Sequence, residues 1–402
     1  MVTATLALVC AGSAIAAVVA RWVPRALMPA LVFEIAFGIA IGPSGLGLLA
    51  PSSVMTVLAQ LGFAVLMLIA GLEIDLDMLL GRQNTPRGAS PLKLALTMSL
   101  TTFALAAVGA WLLLDRATPL LHIAIYAVIL STTSVGIVVP TVQERGLADR
   151  PYGQTILSTA LLADFFTMIG ISALAGIIVA GGAWGALGSL TLVGIAFLLI
   201  WLLPRFLIRL PASRFDSRTS LPLVRASFAL LFVAAFLAEG LGSELVLAAF
   251  LAGLLLGRVI PRGGQRREMI EAIGYGFVVP FFFINVGLKF DLAALVSSST
   301  ALWLVPGFLA VAFGNKFLPS LLMIPDYGTR NAIAAGTLLS ARLSLIVAAS
   351  DIATRIGVFD PATNAAMVLV AILSSAMGPL LFNLLAPKVE SAPAADCTER
   401  AI

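Results

Sequence analysis

The sequence predicts an all-α polytopic membrane protein of about thirteen spans. Three observations carry that prediction. Hydrophobic residues fill 60% of the 402 positions, charged residues only 11%, and mean hydropathy is +1.07, whereas a soluble domain carries about 25% charge. The apolar runs extend over about 18–25 residues, the length of a helix across a bilayer and too long for barrel strands. Helix-breaking residues punctuate these runs at regular intervals: Pro24, Gly42-Pro43, Pro51, Pro91, Pro119, Pro151, Pro222, Pro261, Pro325 and Pro387.

Taken in order, the spans are expected near 3–20, 26–41, 54–72, 93–114, 120–140, 152–180, 184–204, 223–239, 244–260, 272–290, 300–324, 331–357 and 362–386. The first begins without a basic n-region, so it reads as a span rather than a cleaved signal peptide. The second carries Glu34 and stops at Gly42-Pro43, and the third runs from Pro51 to the Ala70-Gly71-Leu72 stretch. Pro91 and Pro119 open the fourth and fifth, and Pro151 opens the sixth, which holds Asp164. Pro222, Pro261 and Pro325 separate the later spans, and Pro387 ends the last. The polar, Ala-rich tail at 388–402 is expected to be disordered and cytoplasmic.

Positive charge tests this count. Loops after odd-numbered spans hold nineteen of the 24 Lys and Arg; the other side holds three, Arg116, Lys289 and Arg355, and the last two, Lys316 and Arg342, fall inside spans. So strong a bias puts the odd-numbered loops in the cytoplasm, the N-terminus outside and the C-terminus inside. It also explains the basic balance without a nucleic-acid partner. The two cysteines, Cys10 and Cys397, lie at opposite ends, and the single histidine, His122, sits at a span start; neither pattern suggests a disulfide framework or a His-based metal centre. No cofactor is expected.

Two spans look discontinuous. The fifth carries Ser131-Thr132-Thr133-Ser134 with Gly136 and Pro140; the twelfth carries Gly336-Thr337, then Ser340-Ala341-Arg342-Leu343-Ser344. Hydroxyls beside glycine satisfy backbone groups freed by unwinding, although Ser and Thr in membrane helices also bond back to their own turn or line helix contacts. The two spans are seven apart, an odd offset that inverts the second copy. Interrupted segments at matching places in inverted halves point to a binding site at the midplane.

The buried ionisable residues are few: Glu34, Asp164, Lys316, Arg342 and, near the outer surface, Asp351. Asp164 lies in Leu161-Leu162-Ala163-Asp164-Phe165-Phe166, where a carboxylate costs roughly 2.5–3.5 kcal/mol on insertion scales. Such a group is a functional-site candidate with a partner to be found. Lys316, in Phe313-Gly314-Asn315-Lys316-Phe317-Leu318, is equally costly and is the candidate partner, either as a permanent ion pair or as a group whose charge is coupled to Asp164. Arg342 is expected to neutralise carbonyl ends in its broken helix. No filter-like repeat suggests a channel, and no His-Glu-x-x-His pattern suggests a membrane hydrolase.

Five ordered segments then resemble the monovalent cation:proton antiporters of the NapA and KefC type. They are Glu34-Ile35-Ala36-Phe37-Gly38 through Gly42-Pro43-Ser44-Gly45-Leu46-Gly47; Ala70-Gly71-Leu72-Glu73-Ile74-Asp75; Thr133-Ser134-Val135-Gly136 with Glu144-Arg145-Gly146; Phe250 to Gly257; and Phe282 to Leu288. The resemblance covers essentially the whole spanning region. It implies the antiporter fold, an inverted repeat with two broken helices crossing at an ion site, in a transmembrane domain over 1–387. A transport core (about 93–180 and 300–386) would move like an elevator against a dimerisation domain, in a homodimer in a bacterial plasma membrane. It also implies that protons and Na⁺ or K⁺ compete for Asp164, beside Thr132, Thr133 and Ser134, with Lys316 as the basic partner. Two places depart from the family pattern. Ala163 stands where many relatives have an acid or amide, and Ser344 stands where many have an acid. An alternative therefore goes with the resemblance: a retained antiporter fold with another solute or a role in a pathway on a lipophilic substrate.

Overall fold

In a computed structural model of the chain, residues 2–22, 30–73, 91–148, 150–207, 221–240, 245–260 and 264–386 are described. Asp75, Cys397, the 388–402 tail and several of the loop arginines counted above lie outside the described residues. Every regular element among the described residues is helical. The helices are α1 (Val2–Trp22), α2 (Ala30–Ile41), α3 (Ser53–Glu73), α4 (Pro91–Leu113), α5 (Leu120–Ser131), α6 (Val135–Glu144), α7 (Pro151–Ala180), α8 (Gly185–Leu207) and α9 (Pro222–Gly240). They continue with α10 (Leu245–Val259), α11 (Gln265–Ile273), α12 (Val279–Leu288), α13 (Leu292–Ser297), α14 (Ser299–Ser320), α15 (Ile324–Tyr327), α16 (Thr329–Leu339), α17 (Ser344–Arg355) and α18 (Pro361–Leu385).

Local chemistry sets the ends. Pro151 opens α7, where its missing N–H costs nothing, and Gly181 closes it at φ +67°, a left-handed cap. Asp360 caps α18 by accepting a hydrogen bond from the Thr363 N–H at 2.7 Å, with Pro361 at the first helical position. A π turn at Gly274–Val278 joins α11 to α12. Pro280 explains it: the ring has no N–H to donate and would clash with the carbonyl of residue 276 in a regular helix.

Among the described residues, eight helical stretches are long and apolar enough to cross a bilayer, and the bent pair α16 and α17 makes a ninth. The remaining four expected spans appear as shorter apolar helices, at Thr5–Ala20, Leu31–Ile41, Gly185–Ala196 and Leu247–Val259. Within the described residues each of the thirteen expected segments thus carries helix, but the count of thirteen full spans is not established by length.

Both expected interruptions are present. The fifth span breaks at residues 132–134, between α5 and α6. The twelfth breaks at residues 340–343, and its halves meet at a bend of 43°. Helices α4, α5, α7, α14, α16, α17 and α18 pack around these breaks, while α2, α3, α10 and α12 pack on one another, with α1 against α2 and α9 against α10. Helix α8 lies against both α7 and α10.

Two glycine crossings reveal the inverted repeat. A Cβ on Gly38 of α2 would lie 2.2 Å from the Ile284 carbonyl oxygen and 3.0 Å from the Gly287 Cα of α12. A Cβ on Gly71 of α3 would lie 2.1 Å from the Phe250 carbonyl oxygen, beside Gly253 of α10. A seven-span offset carries α2 onto α10 and α3 onto α12, so it maps one crossing onto the other. The sequence repeats accordingly: Gly38 and Gly42 match Gly253 and Gly257 in spacing, and Gly71-Leu72 matches Gly287-Leu288.

Candidate functional site

The two broken helices meet at their unwound segments. The Ser134 N–H donates to the Ala341 carbonyl at 2.9 Å, and the Thr133 hydroxyl donates to the Leu339 carbonyl at 3.2 Å. Each break thereby satisfies backbone groups that the other has freed. The accounting continues at the end of α5. The Ser131 hydroxyl donates to the Val128 carbonyl at 2.7 Å and the Thr132 N–H to the Ile129 carbonyl at 3.4 Å. The Leu130 carbonyl is bonded from another element, as described below. A helix end buried without partners costs several kcal/mol in lipid, and these bonds offset that cost at the end of α5.

Asp164 enters from α7, 6% exposed. Its Oδ2 accepts a hydrogen bond from the Val135 N–H at 3.4 Å, the first residue of α6. The N-terminus of a half-helix carries partial positive charge and unbonded N–H groups, so it favours an anion at this point. Thr132 is fully buried, and its Oγ1 has no hydrogen-bond partner among the described residues. The Thr133 hydroxyl is committed to the crossing. Of the three expected hydroxyl ligands, Thr132 therefore keeps an uncommitted side-chain oxygen, Ser134 directly precedes the Val135 N–H that Asp164 accepts from, and Thr133 acts on the backbone.

Arg342 lies in the second break and is fully buried. Its guanidinium donates to the Leu130 carbonyl, to the Ala312 carbonyl at 2.5 Å, to Asn315 Oδ1 at 3.4 Å and to its own Ser340 carbonyl at 3.2 Å. The expectation that it neutralises carbonyl ends holds, and extends to the other broken helix. It caps the negative end of α5 as well as that of α16. Ser374 of α18 in turn donates to the Arg342 carbonyl at 3.2 Å. Asn315, one residue before Lys316, completes the bracket: its Nδ2 donates to the Leu130 carbonyl at 2.7 Å. This residue was not singled out from sequence. The signal that finds it is a carboxamide in an otherwise apolar span, directly beside a buried lysine.

Lys316 is 1% exposed, and its Nζ makes no hydrogen bond among the described residues. It lies within electrostatic reach of both Asp164 and Arg342. The structure thus brings Asp164, Thr132, Thr133, Ser134, Lys316 and Arg342 into one cluster.

Two cavities border α17, and the larger of them reaches the crossing. The larger, about 600 Å³, reaches Ser134 and Gly136 from the first break and Ser344 from the second, and extends to Glu34, Ser13 and Tyr275. The smaller, about 260 Å³, is lined by Gln60, Asn285, Lys289, Asp351, Arg355 and Asn364, among others. Asp351 pairs there with Lys289 at 3.6 Å and Arg355 at 3.4 Å, with 43% of its side chain exposed. It belongs to the mouth of that cavity and not to the crossing. Ser344 opens α17 and faces the larger cavity, and Glu34 stands away from the crossing on α2. Oxygen-rich, partly unwound backbone with one carboxylate is an arrangement that can strip and hold a small cation, or a proton in its place.

Comparison with known proteins agrees in kind. The family model described as sodium/hydrogen exchanger, transmembrane, matches residues 13–386. A Bacillus subtilis (strain 168) protein named "Putative Na(+)/H(+) antiporter YjbQ" is 31% identical over 378 residues, which is 90% of this chain and 60% of that protein. The Enterococcus hirae Na(+)/H(+) antiporter is 24% identical, over 90% of this chain and 93% of its own. The glutathione-regulated potassium-efflux system protein KefC of Salmonella arizonae (strain ATCC BAA-731 / CDC346-86 / RSK2980) is 28% identical, over 90% of this chain and 57% of its own. The chain thus spans only about three-fifths of the length of YjbQ and KefC. In fold it is similar to the sodium proton antiporter MjNhaP1 of Methanocaldococcus jannaschii, with a TM-score of 0.62 at 16% identity, over 94% of this chain and 95% of that one. The chain belongs to the sodium/hydrogen exchanger family.

Proposed function

We propose that this protein is a secondary antiporter that exchanges a monovalent cation, Na⁺ or K⁺, for protons, with Asp164 as the ligand both compete for. The observation that carries this reading is the placement of the Asp164 carboxylate at the N-terminus of α6, in the break that also holds the open hydroxyl of Thr132, where two broken helices cross. The names of the relatives support the reaction class. The cycle follows from the chemistry. A proton on Asp164 neutralises the carboxylate and removes the cation's main ligand. A cation at Asp164, held also by Thr132 and Ser134 oxygens, displaces the proton. Exposure of the crossing to one side and then the other couples the two fluxes.

Ala163 and Ser344 leave Asp164 as the one acid of the cluster among the described residues. Exchange of one proton for one cation is then the simplest cycle, and it moves no net charge while Lys316 keeps a fixed protonation state. The transport core at about 93–180 and 300–386, the homodimer, the bacterial plasma membrane and the outside N-terminus belong to the same proposal. The charge asymmetry of the loops and the packing of two helix groups support it.

The test is cation-driven proton flux in proteoliposomes across Na⁺, K⁺ and Li⁺. Asp164→Asn is expected to reduce flux to the protein-free background. Wild-type flux in that variant would sink the reading. Absence of exchange with every cation in the wild type would favour the second reading, a retained fold put to other use, which the apolar Ala163 in place of an acid or amide recommends.

A further inference from the structure

Among the described residues, Glu34 and Asp164 are the two buried acidic side chains, each 6% exposed. Asp164 belongs to the crossing. Glu34 has no part in that cluster, yet it lines the same 600 Å³ cavity. One wall of the cavity is the crossing, with Ser134, Gly136 and Ser344. The facing wall is α1, α2 and the π turn, with Cys10, Ser13, Glu34 and Tyr275. Glu34 Oε1 accepts a hydrogen bond from the Ser13 hydroxyl at 3.4 Å. Its Oε2 is buried and has no hydrogen-bond partner among the described residues. No Lys, Arg or His is among the described residues lining the cavity.

A buried carboxylate oxygen without a donor is costly and calls for an occupant. An apolar cavity with a single negative charge and no basic group concentrates cations at that charge. We propose that Glu34, with the Ser13 hydroxyl, forms a second site for a monovalent cation, an antechamber facing the crossing. Its donors are a carboxylate, a hydroxyl and the water that a cavity of this size holds, a set suited to a hard, small cation. The π turn, forced by Pro280, opens the same wall at Tyr275 and Gly276. That the cation moves on to Asp164 rests on the antiport reading above; that Glu34 attracts a cation does not.

Cys10 supplies a reporter independent of transport. It is exposed, lines the same cavity and stands three residues before Ser13 on one face of α1. In a Cys397→Ser background it is the sole thiol. A positively charged methanethiosulfonate is expected to label Cys10 faster than a negatively charged one, by on the order of tenfold. Glu34→Gln removes that preference, Glu34→Asp keeps most of it, and Na⁺ or K⁺ slows the cationic reagent in the wild type only. An equal preference in wild type and Glu34→Gln overturns the proposal.

The transport arm separates its failure from that of the antiport reading. In proteoliposomes, Glu34→Gln is expected to raise the cation KM by on the order of tenfold, with a smaller change in kcat, while Asp164→Asn loses exchange. If Glu34→Gln leaves KM and labelling as in the wild type while Asp164→Asn still abolishes flux, the antechamber falls and the antiport reading stands. If the wild type shows no exchange, the antiport reading falls and the labelling ratio still decides Glu34. Ser13→Ala, expected to move the labelling ratio and KM in the same direction by less, decides the matter if Glu34→Gln fails to fold.

Discussion

Arg342 shows what a single buried charge does in this fold. It is fully buried yet bonded to Leu130, Ala312, Asn315 and Ser340, so its cost is offset by four acceptors rather than by a counter-ion. Arg342→Met is expected to lower stability by about 3 kcal/mol, the scale of lost charge-assisted bonds plus a carbonyl left poorly satisfied, read as a fall in unfolding temperature in detergent. Arg342→Lys is expected to fall between, because one ammonium cannot reproduce the planar fork. A wild-type unfolding temperature in Arg342→Met would mean that Asn315 alone satisfies the end of α5. At this scale Asp164, Lys316 and Arg342 were legible in the sequence, because a charge in an apolar span is conspicuous. Asn315 was not, since an amide is cheap enough in a membrane helix to pass unnoticed. The Glu34 position was legible as a residue but not as a place: only the packing of α1 against α2 brings Ser13 to it.

At the scale of elements, the breaks in the fifth and twelfth spans were readable from hydroxyl clusters beside glycine. The glycine crossings were not, because a glycine in a span says nothing of its partner until two helices are seen to touch. Their consequence is testable. Gly71→Ala puts a Cβ 2.1 Å from the Phe250 carbonyl oxygen, a backbone atom that moves only with its helix. Overpacking of this kind costs about 1–3 kcal/mol, and the upper end is expected here. Gly136→Ala, whose Cβ meets nothing within 4 Å, is expected to leave stability within about 0.5 kcal/mol of the wild type. Thermal unfolding of the two variants side by side checks both; equal unfolding temperatures would remove the crossing as a structural anchor. The span count was less secure for a related reason. Hydropathy marks apolar runs, but it does not fix where a helix begins, ends or breaks: Gly42-Pro43 stops α2, and the twelfth apolar run is two helices bent by 43°.

The whole molecule carries two cavities of unequal size, of which one reaches the crossing. The wide side is a cavity of about 600 Å³ reaching Ser134 and Ser344, and the narrow side one of about 260 Å³ whose lining includes Lys289, Asp351 and Arg355. Lys289 belongs to the last turn of the α12 region and Asp351 to α17, so their contact ties the α2–α3–α10–α12 group to a broken helix. The antiport reading, with access alternating between the two sides, predicts that this tie favours the state closed at the narrow side. The pair is half exposed, at 40% and 43%, so solvent screens it and its worth is about 0–1 kcal/mol. Asp351→Asn is therefore expected to shift the population toward the state open at the narrow side by at most about fivefold. The reporter is again Cys10, which faces the wide cavity: its labelling rate falls as that state is depleted. High salt is expected to reproduce the shift in the wild type and to add little in Asp351→Asn, because it screens the same exposed contact. A labelling rate unmoved by both salt and substitution would show that packing, and not this ion pair, keeps the narrow side closed.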